Sequence, residues 1–397
     1  MLSSSSATVV AATLPAVRAA AVDITKRFYA TMFADHPELL DLFNRGNQAN
    51  GDQQRALAGA VIAYAQSLVD DVPVGPVLDR IAHKHASLGI RPEQYTLVGR
   101  YLLAAVAHTL GAAVTPEVEA AWDEVYWLFA VRLIAAETRL YQQNGVDPAH
   151  PHTPWRVVGK YDEAHDAVSL LLAPESGAVP PHRPGQYVTV TVDLPGAGRQ
   201  ARQYTISHGA GHSALRITVR PVPGGLVSPF LAEQLSVGDT VDVSRPFGDL
   251  TLDAEMSPLI LVSAGIGSTP MAAMIEHLAV AQPLRPVVAV HAERDPGRHA
   301  FHGHMVRHGA RLHSFEHLRY YEYEAGPGAR SGLVRPDEIP IAAGASAYLC
   351  GPLPFMRDVR ASLLRRGMPA DRIRFEVFGA DLWSTDADQL PSGATVS

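Results

Sequence analysis

The spacing of apolar residues changes twice along the chain, and these changes divide it into three stretches. Over residues 9–143, apolar side chains recur every three or four positions, which predicts amphipathic helices. Breaks at His36-Pro37, Gly51-Asp52, Pro73, Pro76 and Arg91-Pro92 predict helix ends, because proline lacks an amide donor and glycine relaxes the backbone. The first stretch is therefore predicted to be all-α.

The second stretch is predicted to be an antiparallel β-barrel. It follows residues 144–154, a run of Asn, Gly, Asp and Pro that we interpret as an interdomain linker. Beyond it, residues 168–172, 187–192 and 215–219 are apolar or β-branched runs bounded by proline and glycine, as is typical of strands.

The third stretch alternates strands with helices. Residues 259–263 form an apolar strand that leads into a glycine-rich turn and a helix, and residues 287–291 and 347–350 are later strands. This alternation predicts a parallel sheet covered on both faces. The predicted domains span residues 1–147, 153–254 and 257–397.

The composition fits a multidomain globular protein and excludes several other classes. Hydrophobic residues make up 47% of the 397 residues and charged residues 18%, which is enough apolar material for two or three cores. A net charge of −7 without any block of Lys or Arg argues against nucleic-acid binding. A single cysteine, Cys350, cannot form an internal disulfide. Residues 1–12 resemble neither a signal peptide nor a membrane span. We expect a cytoplasmic protein without stable membrane insertion.

One histidine of the helical stretch lies on an apolar face that would suit a flat hydrophobic cofactor. Ile81, His85 and Leu88 are three or four positions apart, whereas His83 points away from their face. A lone histidine on such a face is more often a core residue than a ligand. Spacing alone leaves both interpretations open.

Two polar residues occupy apolar faces of other predicted helices. Glu137 lies on a face with several aromatic residues, and Tyr95 lies on a comparable face after Pro92. A buried carboxylate needs a partner. If the faces converge, Glu137 and Tyr95 can hydrogen-bond the nitrogen of His85 that does not bind iron. The alternative is two unrelated half-buried residues.

A further set of residues would suit the opposite side of such a cofactor. Gln53 and Leu57 share one helical face, and Tyr29 shares another with Phe33. Tyr29 could donate its hydroxyl proton to iron-bound dioxygen, while Gln53 and Leu57 shape the cavity. An aromatic stripe of this kind is by itself more typical of a core.

Short segments of the helical stretch resemble the globin domain of bacterial and fungal flavohaemoglobins, in order and in register. The main matching segments are Phe28-Tyr29, Met32-Phe33, His36-Pro37-Glu38-Leu39, Phe43-Asn44, Asn50-Gly51-Asp52-Gln53, Ile81-Ala82-His83-Lys84-His85 and Arg91-Pro92-Glu93-Gln94-Tyr95. The resemblance implies that His85 is the proximal ligand of haem b, with Tyr95 and Glu137 as its partners. The residues it places in the distal pocket are Tyr29, Gln53 and Leu57. The further residues expected to contact this cofactor are Phe43 and Lys84.

Three motifs of the second stretch together fit a flavin. Arg202-Gln203-Tyr204-Thr205 closes one strand, and Gly224-Gly225-Leu226-Val227-Ser228 precedes an apolar helix. Arginine can pair with pyrophosphate, a tyrosine ring can pack on isoalloxazine, and glycines let backbone amides approach phosphate. With Arg183-Pro184-Gly185-Gln186-Tyr187 upstream, the trio resembles the FAD domain of the ferredoxin-reductase superfamily. By that resemblance the FAD-binding residues are Gln186, Tyr187, Arg202, Tyr204, Thr205, Gly225, Val227 and Ser228.

The third stretch carries a dinucleotide-binding pattern. The strand at residues 259–263 leads into Ala264-Gly265-Ile266-Gly267-Ser268-Thr269-Pro270, the strand–turn–helix context that such a motif requires. Pro270 replaces the third glycine of GxGxxG, as in the nicotinamide domain of the same superfamily. The resemblance makes the NAD(P)H-binding residues Gly265, Gly267, Thr269, Pro270, Cys350, Gly351 and Pro352, and it places Phe378 near the isoalloxazine. The alternative for Cys350 is a small buried core residue.

The resemblance implies a nitric oxide dioxygenase. It would consist of an all-α globin domain, an antiparallel β-barrel FAD-binding domain and an α/β nicotinamide-binding domain of the ferredoxin-reductase type. NAD(P)H would reduce FAD, FAD would reduce haem iron, and haem-bound dioxygen would convert nitric oxide to nitrate. Dioxygen and nitric oxide are then the substrates, and we expect a monomer.

Two other functions stay open at this point, as does the choice of coenzyme. One is a haem/flavin reductase that acts mainly on a peroxide, a quinone or a ferric chelate. The other is a sensor globin that only binds a gaseous ligand. For the coenzyme, Glu293 would disfavour the ribose phosphate of NADPH and Arg294 would attract it.

Overall fold

The computed structural model describes residues 2–42, 51–71, 74–379 and 383. The chain forms two compact units, one spanning Met1–Pro151 and resuming at Gly379, the other spanning His152–Phe378. Phe43, Pro73 and most of the tail after Gly379 lie outside the described residues.

The first unit is all-α, as predicted. Its long helices, within the described residues, are α1 (Ser4–Asp35), α2 (Asp52–Asp70), α3 (Gly75–Leu88), α4 (Pro92–Leu110) and α5 (Pro116–Asn144), with 3-10 segments at Pro37–Leu42 and Gly111–Ala113. Prolines stand in the first turn of α3, α4 and α5, where no amide donor is needed. Helix α1 begins five residues before the apolar periodicity does, because Ser3 caps it by accepting a hydrogen bond from Ser6.

Helix α1 packs against α2, α4 and α5 around one apolar core. The close contact of α4 with α5 depends on Gly99, since a Cβ atom there would overlap the ring of Tyr126. Among the described residues, only α1 is long and apolar enough to cross a membrane by length and composition. Its buried residues, which include Val10, Phe28 and Met32, belong to this core.

The second unit begins with a six-stranded antiparallel barrel, as predicted. Its strands are β1 (His152–Ala164), β2 (Ala167–Pro174), β3 (Tyr187–Leu194), β4 (Gly198–Thr205), β5 (Leu215–Val219) and β6 (Thr240–Ser244), in the order β4-β3-β6-β1-β2-β5. A bridge between Ile206 and Ile217 joins the two edges. The linker is shorter than predicted, because β1 already includes Pro154. This proline is tolerated near the strand start, where it pairs with Asp242 of β6 and its carbonyl oxygen accepts a hydrogen bond from Glu175.

The remainder of the second unit is an α/β domain with a parallel sheet. Its strands are β7 (Leu259–Ala264), β8 (Val287–Glu293), β9 (Phe315–Tyr321), β10 (Arg330–Ser331), β11 (Ser346–Cys350) and β12 (Ile373–Glu376), in the order β10-β9-β8-β7-β11-β12. The helices of this unit are α6 (Val227–Pro229, continued by a π turn at Phe230–Gln234), α7 (Ser268–Ala281), α8 (His302–Gly309) and α9 (Leu353–Arg365). Short 3-10 turns lie at Gly265–Gly267, Pro296–Arg298, Pro336–Glu338 and Ala370–Arg372.

The strand order reverses direction between β7 and β11. From β7 the sheet continues to β8 on one side and to β11 on the other. The carboxyl ends of parallel strands at such a switch point form a crevice that binds ligands in α/β proteins. In this chain, the Gly265–Gly267 turn follows β7 there, and Gly351 follows β11.

Candidate functional site

The helical unit brings together three residues that are distant in sequence. His85 Nδ1 lies 2.8 Å from Glu137 Oε1 and 2.9 Å from the Tyr95 hydroxyl, which donates to the same carboxylate oxygen at 2.5 Å. Helices α3, α4 and α5 supply one residue each. Glu137 is 2% exposed, so water cannot solvate its carboxylate, and these two hydrogen bonds stabilise it instead. The faces predicted from spacing therefore converge.

The hydrogen bonds determine the tautomer of His85. An ionised carboxylate only accepts, and Tyr95 gives its single hydroxyl hydrogen to Glu137. The hydrogen between His85 and Glu137 must therefore reside on Nδ1, which leaves the lone pair on Nε2. Burial, followed by the charge of Glu137, raises the pKa of Tyr95 far above its usual value, so the phenol keeps its proton.

This arrangement fits a haem iron ligand. The side chain of His85 is 33% exposed although that of Glu137 is only 3% exposed. Within the described part of the chain, Nε2 has no protein partner, and a neutral imidazole nitrogen with a lone pair is a ligand that haem iron accepts. A carboxylate bonded to the opposite nitrogen orients the ring and increases its basicity.

The predicted distal residues lie on α1 and α2. Tyr29 is 5% exposed, its ring stacks on Phe33 at 5.5 Å, and its hydroxyl is hydrogen-bonded to Gln53. Burial raises the pKa of Tyr29 well above its usual value, so the hydroxyl remains a donor. Leu57 lines a narrow apolar cavity of about 40 Å³ together with Val61 of the same helix.

Of the other two residues assigned to haem by resemblance, Phe43 lies outside the described residues. Lys84 is described, and its ammonium donates a hydrogen bond of 2.5 Å to the carbonyl oxygen of Gly379. A bond between residues so far apart in sequence was not predicted. A role for Lys84 at the cofactor stays a prediction.

The flavin candidates on β4 include a cation without a carboxylate partner. The Arg202 guanidinium is half-buried, and it donates to the carbonyl oxygen of Ala201 at 2.7 Å. Burial lowers its pKa, and none of the described carboxylates pairs with it. A partly desolvated guanidinium gains from an anionic ligand, so Arg202 fits the pyrophosphate of FAD. Tyr204 and Thr205 follow on the same strand, with Tyr204 partly buried and Thr205 buried.

Several other flavin candidates make contacts within their own loops. The amide oxygen of Gln186 accepts from the backbone of Arg183 at 2.8 Å, which closes the turn before β3. Ser228 Oγ accepts from the backbone of Val222 at 3.0 Å and so shapes the loop that contains Gly225. Val227 is buried in the barrel core, and Tyr187 is buried beside Gly248. These residues position the loops, and their contacts with FAD stay predictions.

The nicotinamide turn is formed by a close approach of two loops. Gly265 has a φ of +56°, a conformation that suits glycine. A Cβ atom at Gly267 would overlap the carbonyl oxygen of Cys350. The turn after β7 therefore packs directly against the end of β11, which brings Gly351 beside it and fits the approach of a dinucleotide to bare backbone.

The remaining nicotinamide candidates differ in exposure. Thr269 is buried and donates to the carbonyl oxygen of Ile266 at 3.0 Å, and Pro270 is buried in α7. Cys350 is fully buried in the core of the α/β domain, and burial raises its pKa well above the usual value. The Cys350 side chain is therefore a small buried core residue, which was the alternative given for it in the sequence analysis. Pro352 is exposed, and Phe378 is 46% exposed.

One charged residue beside the turn was not among the predicted site residues. Arg220 lies 2.8 Å from Glu293 and 3.1 Å from Asp166, and its guanidinium is the group nearest to a Cβ atom built on Gly265. Glu293 also accepts from the amide of Arg294 at 3.0 Å. The Glu293 carboxylate is therefore engaged by Arg220, which the sequence pattern did not predict.

Each of the three stretches of the chain matches a known protein family. Family models match as Globin over residues 26–133, Oxidoreductase FAD-binding domain over 160–252 and Oxidoreductase NAD-binding domain over 261–361. A protein of Bordetella parapertussis named Flavohemoprotein is 41% identical, over 96% of this chain and 99% of that protein. The chain belongs to the flavohemoprotein family.

Solved structures support the same assignment for this flavohemoprotein. The crystal structure of a Malassezia yamatoensis flavohemoglobin, with bound FAD and heme, matches with a TM-score of 0.89 at 34% identity, over 95% of this chain and 100% of that one. The FAD/NAD-binding domain of a Vibrio cholerae nitric oxide dioxygenase matches with a TM-score of 0.55 at 32% identity, over 57% of this chain and 98% of that one. The predicted fold class and the predicted cofactors, haem, FAD and a nicotinamide coenzyme, are confirmed.

Proposed function

We propose that this flavohemoprotein is a nitric oxide dioxygenase that oxidises nitric oxide to nitrate with dioxygen and NAD(P)H. The observation that carries the proposal is the His85–Tyr95–Glu137 triad in a globin domain that shares one chain with FAD-binding and NAD-binding domains. The name of the related Vibrio cholerae protein supports the same reaction.

On the proximal side, His85 would hold the iron through Nε2. Glu137 accepts the Nδ1 hydrogen at 2.8 Å and so gives the imidazole partial imidazolate character. Tyr95 donates a second hydrogen bond to the same carboxylate oxygen and so helps to hold it in place. Haem, when bound, supplies the iron at which dioxygen and nitric oxide react, and FAD converts the hydride of NAD(P)H into single electrons.

On the distal side, Tyr29 would be the hydrogen-bond donor to dioxygen. Its hydroxyl is buried, keeps its proton and is held by Gln53. A preorganised donor of this kind stabilises negative charge that develops on a ligand without the cost of reorienting water. Leu57 would help to keep bulk water out of this side.

In the reductase half, each cofactor would be held by groups that suit phosphate. Arg202 would bind the FAD pyrophosphate, which gives its half-buried charge a partner. The Gly265–Gly267 turn and Gly351 would let the nicotinamide coenzyme approach the backbone at the switch point of the sheet. Arg220 lies beside this turn, where its ion pairs with Glu293 and Asp166 would hold its guanidinium in place.

The stoichiometry of the reaction tests the proposal. Conversion of nitric oxide to nitrate by dioxygen needs one added electron per nitric oxide, so one NAD(P)H should serve two molecules of nitric oxide. We expect the purified protein, loaded with haem and FAD, to show this ratio and to form nitrate quantitatively. A reductase for other acceptors would pass the electrons of NADH to a peroxide, a quinone or a ferric chelate and would form little nitrate from nitric oxide. A sensor would show no acceleration by nitric oxide, and either result would refute the proposal.

Tyr29→Phe tests the distal donor. Because the variant loses one hydrogen bond to the ligand, worth about 1–1.5 kcal/mol, we expect dioxygen to dissociate about 10-fold faster. Stopped-flow absorbance after mixing the oxygenated protein with carbon monoxide measures this rate. The control is Tyr101→Phe, which removes a hydroxyl that donates to Asp35 at 2.6 Å. Equal dissociation rates in the wild type and Tyr29→Phe would contradict the assigned role.

Three further expectations stay predictions. They are the cytoplasmic location, the monomeric state and the domain limits at residues 147, 153, 254 and 257.

A further inference from the structure

Three side chains on two helices of the α/β domain form a cluster that the proposed mechanism does not use. Glu276 lies on α7, and His304 and His308 lie one turn apart on α8. One nitrogen or oxygen atom of each residue lies within 4.8 Å of the corresponding atoms of the other two. Residues four apart share a helix face, so α8 presents both imidazoles to the same point. Their ring centroids are 4.3 Å apart.

One nitrogen in the cluster is buried without a hydrogen-bond partner. His308 Nδ1 is inaccessible to water and has no partner in the described part of the chain. Buried polar atoms are almost always satisfied, and an exception needs an explanation such as a bound ion. His304 is 7% exposed, with Nε2 at 3.4 Å from Glu276 Oε2 and 3.2 Å from the carbonyl oxygen of Ala272.

The surroundings of the three groups favour neutral imidazoles and an ionised carboxylate. Burial lowers the pKa of His304 to about 4 and also lowers that of His308, so both imidazoles are neutral at pH 7. Burial opposes ionisation of Glu276, but its hydrogen bond with His212 lowers the pKa.

The carboxylate of Glu276 is oriented from outside the cluster. His212 Nε2 lies 2.7 Å from Glu276 Oε1, which leaves Oε2 on the side of His304. The backbone amide of Gly209 also hydrogen-bonds this carboxylate. Partners of this kind orient metal ligands in known sites and contribute to their affinity.

The neighbouring positive charges limit the affinity without blocking the cluster. Arg216, Arg307 and Arg311 lie close enough to influence the pKa of His308. The Arg216 guanidinium, however, donates to the hydroxyl of Ser207 at 3.0 Å and to the Ser207 carbonyl oxygen. Its charge is thus already hydrogen-bonded to the barrel, and the Glu276 carboxylate supplies the negative charge at the cluster.

We propose that Glu276, His304 and His308 bind one zinc ion, with water as the fourth ligand. Two imidazole nitrogens with one carboxylate oxygen are a ligand set that zinc accepts, whereas calcium and magnesium prefer all-oxygen sites. Zinc–ligand bonds of about 2.1 Å put tetrahedral ligand atoms about 3.4 Å apart. Small side-chain rotations would bring the three residues to that separation and would tie α7 to α8.

Zinc uptake by the full chain, loaded with haem and FAD, tests the site. After treatment with a chelator, the protein is dialysed against zinc chloride and the bound zinc is measured by mass spectrometry of the elements. We expect one zinc per chain in the wild type, and a higher unfolding temperature with zinc than without it. Magnesium chloride should have neither effect.

Variants identify the ligands and control for unfolding. His308→Ala and Glu276→Gln should lose the bound zinc, and His212→Ala should weaken zinc binding about 10- to 100-fold. The matched control is His313→Ala, which removes an exposed histidine of the same domain and should bind zinc as the wild type does. FAD content shows that each variant is folded. Absence of zinc from the wild type, or equal zinc in the wild type and His308→Ala, would overturn the proposal.

Discussion

His85→Ala is expected to abolish haem binding, with the affinity for haem falling by more than about 100-fold. The imidazole is the group whose Nε2 is available to iron, and Glu137 and Tyr95 position it from the opposite nitrogen. Loss of residues that only orient a metal ligand already costs about 10- to 100-fold, so loss of the ligand itself should cost more. Nitric oxide consumption should disappear together with haem.

The ratio of haem to FAD in the purified variant measures this effect, with haem determined from its Soret band and as the pyridine complex. Reduction of ferricyanide by NADH needs the reductase half, so it should persist and show that the FAD-binding and NAD-binding domains remain folded. His83→Ala is the control, because it removes a histidine from the same helix two positions away. A haem content near that of the wild type in His85→Ala would mean that another residue holds the iron.

Gly267→Ala is expected to impair the use of NAD(P)H about 100-fold while haem binding is retained. The φ of Gly267 is −62°, which alanine adopts readily, so the effect does not come from backbone strain. It comes from overlap of the new methyl group with the Cys350 carbonyl oxygen, which is backbone and cannot rotate away. The ends of β7 and β11 must then separate, and a shift of about 1 Å at a cofactor site can cost 100-fold in rate.

Steady-state kinetics of NADH-dependent ferricyanide reduction measure the loss, and the Soret band reports on the globin domain independently. Gly303→Ala is a matched control, because a Cβ atom at this helical glycine meets nothing within 4 Å. We expect overpacking to cost Gly267→Ala about 1–3 kcal/mol in stability as well. Similar kinetics in the two variants would show that the contact between the two loops does not matter for coenzyme use.

Much of the fold was predictable because local periodicity reflects which side of an element is buried. The three- and four-residue repeat over residues 9–143 predicted helices, and two prolines predicted to mark boundaries, Pro76 and Pro92, stand at real helix starts. The β-branched runs became strands of the barrel, and the strand–turn–helix pattern after Leu259 became β7 and α7. The errors were at element ends, where capping by Ser3 and pairing of β1 with β6 decide the boundary.

The candidate site was less fully predictable, since its properties depend on contacts between distant segments. Spacing placed His85, Tyr95 and Glu137 on apolar faces but left open whether these faces meet. The family resemblance assigned Cys350 to the nicotinamide site, although the thiol is buried in the core and the backbone carbonyl of Cys350 makes the contact with Gly267. The spacing of His304 and His308 is visible in the sequence, yet nothing in it indicates that Glu276 packs against them.

By itself, the sequence determined the class of each segment and the chemical groups that each segment carries, because periodicity and motif are properties of neighbouring residues. The tertiary structure alone decided which of those groups meet. Hydrogen bonds such as that of His85 with Glu137 form between residues on different helices, and the packing of those helices depends on contacts along their whole length, such as that of Gly99 on α4 with Tyr126 on α5.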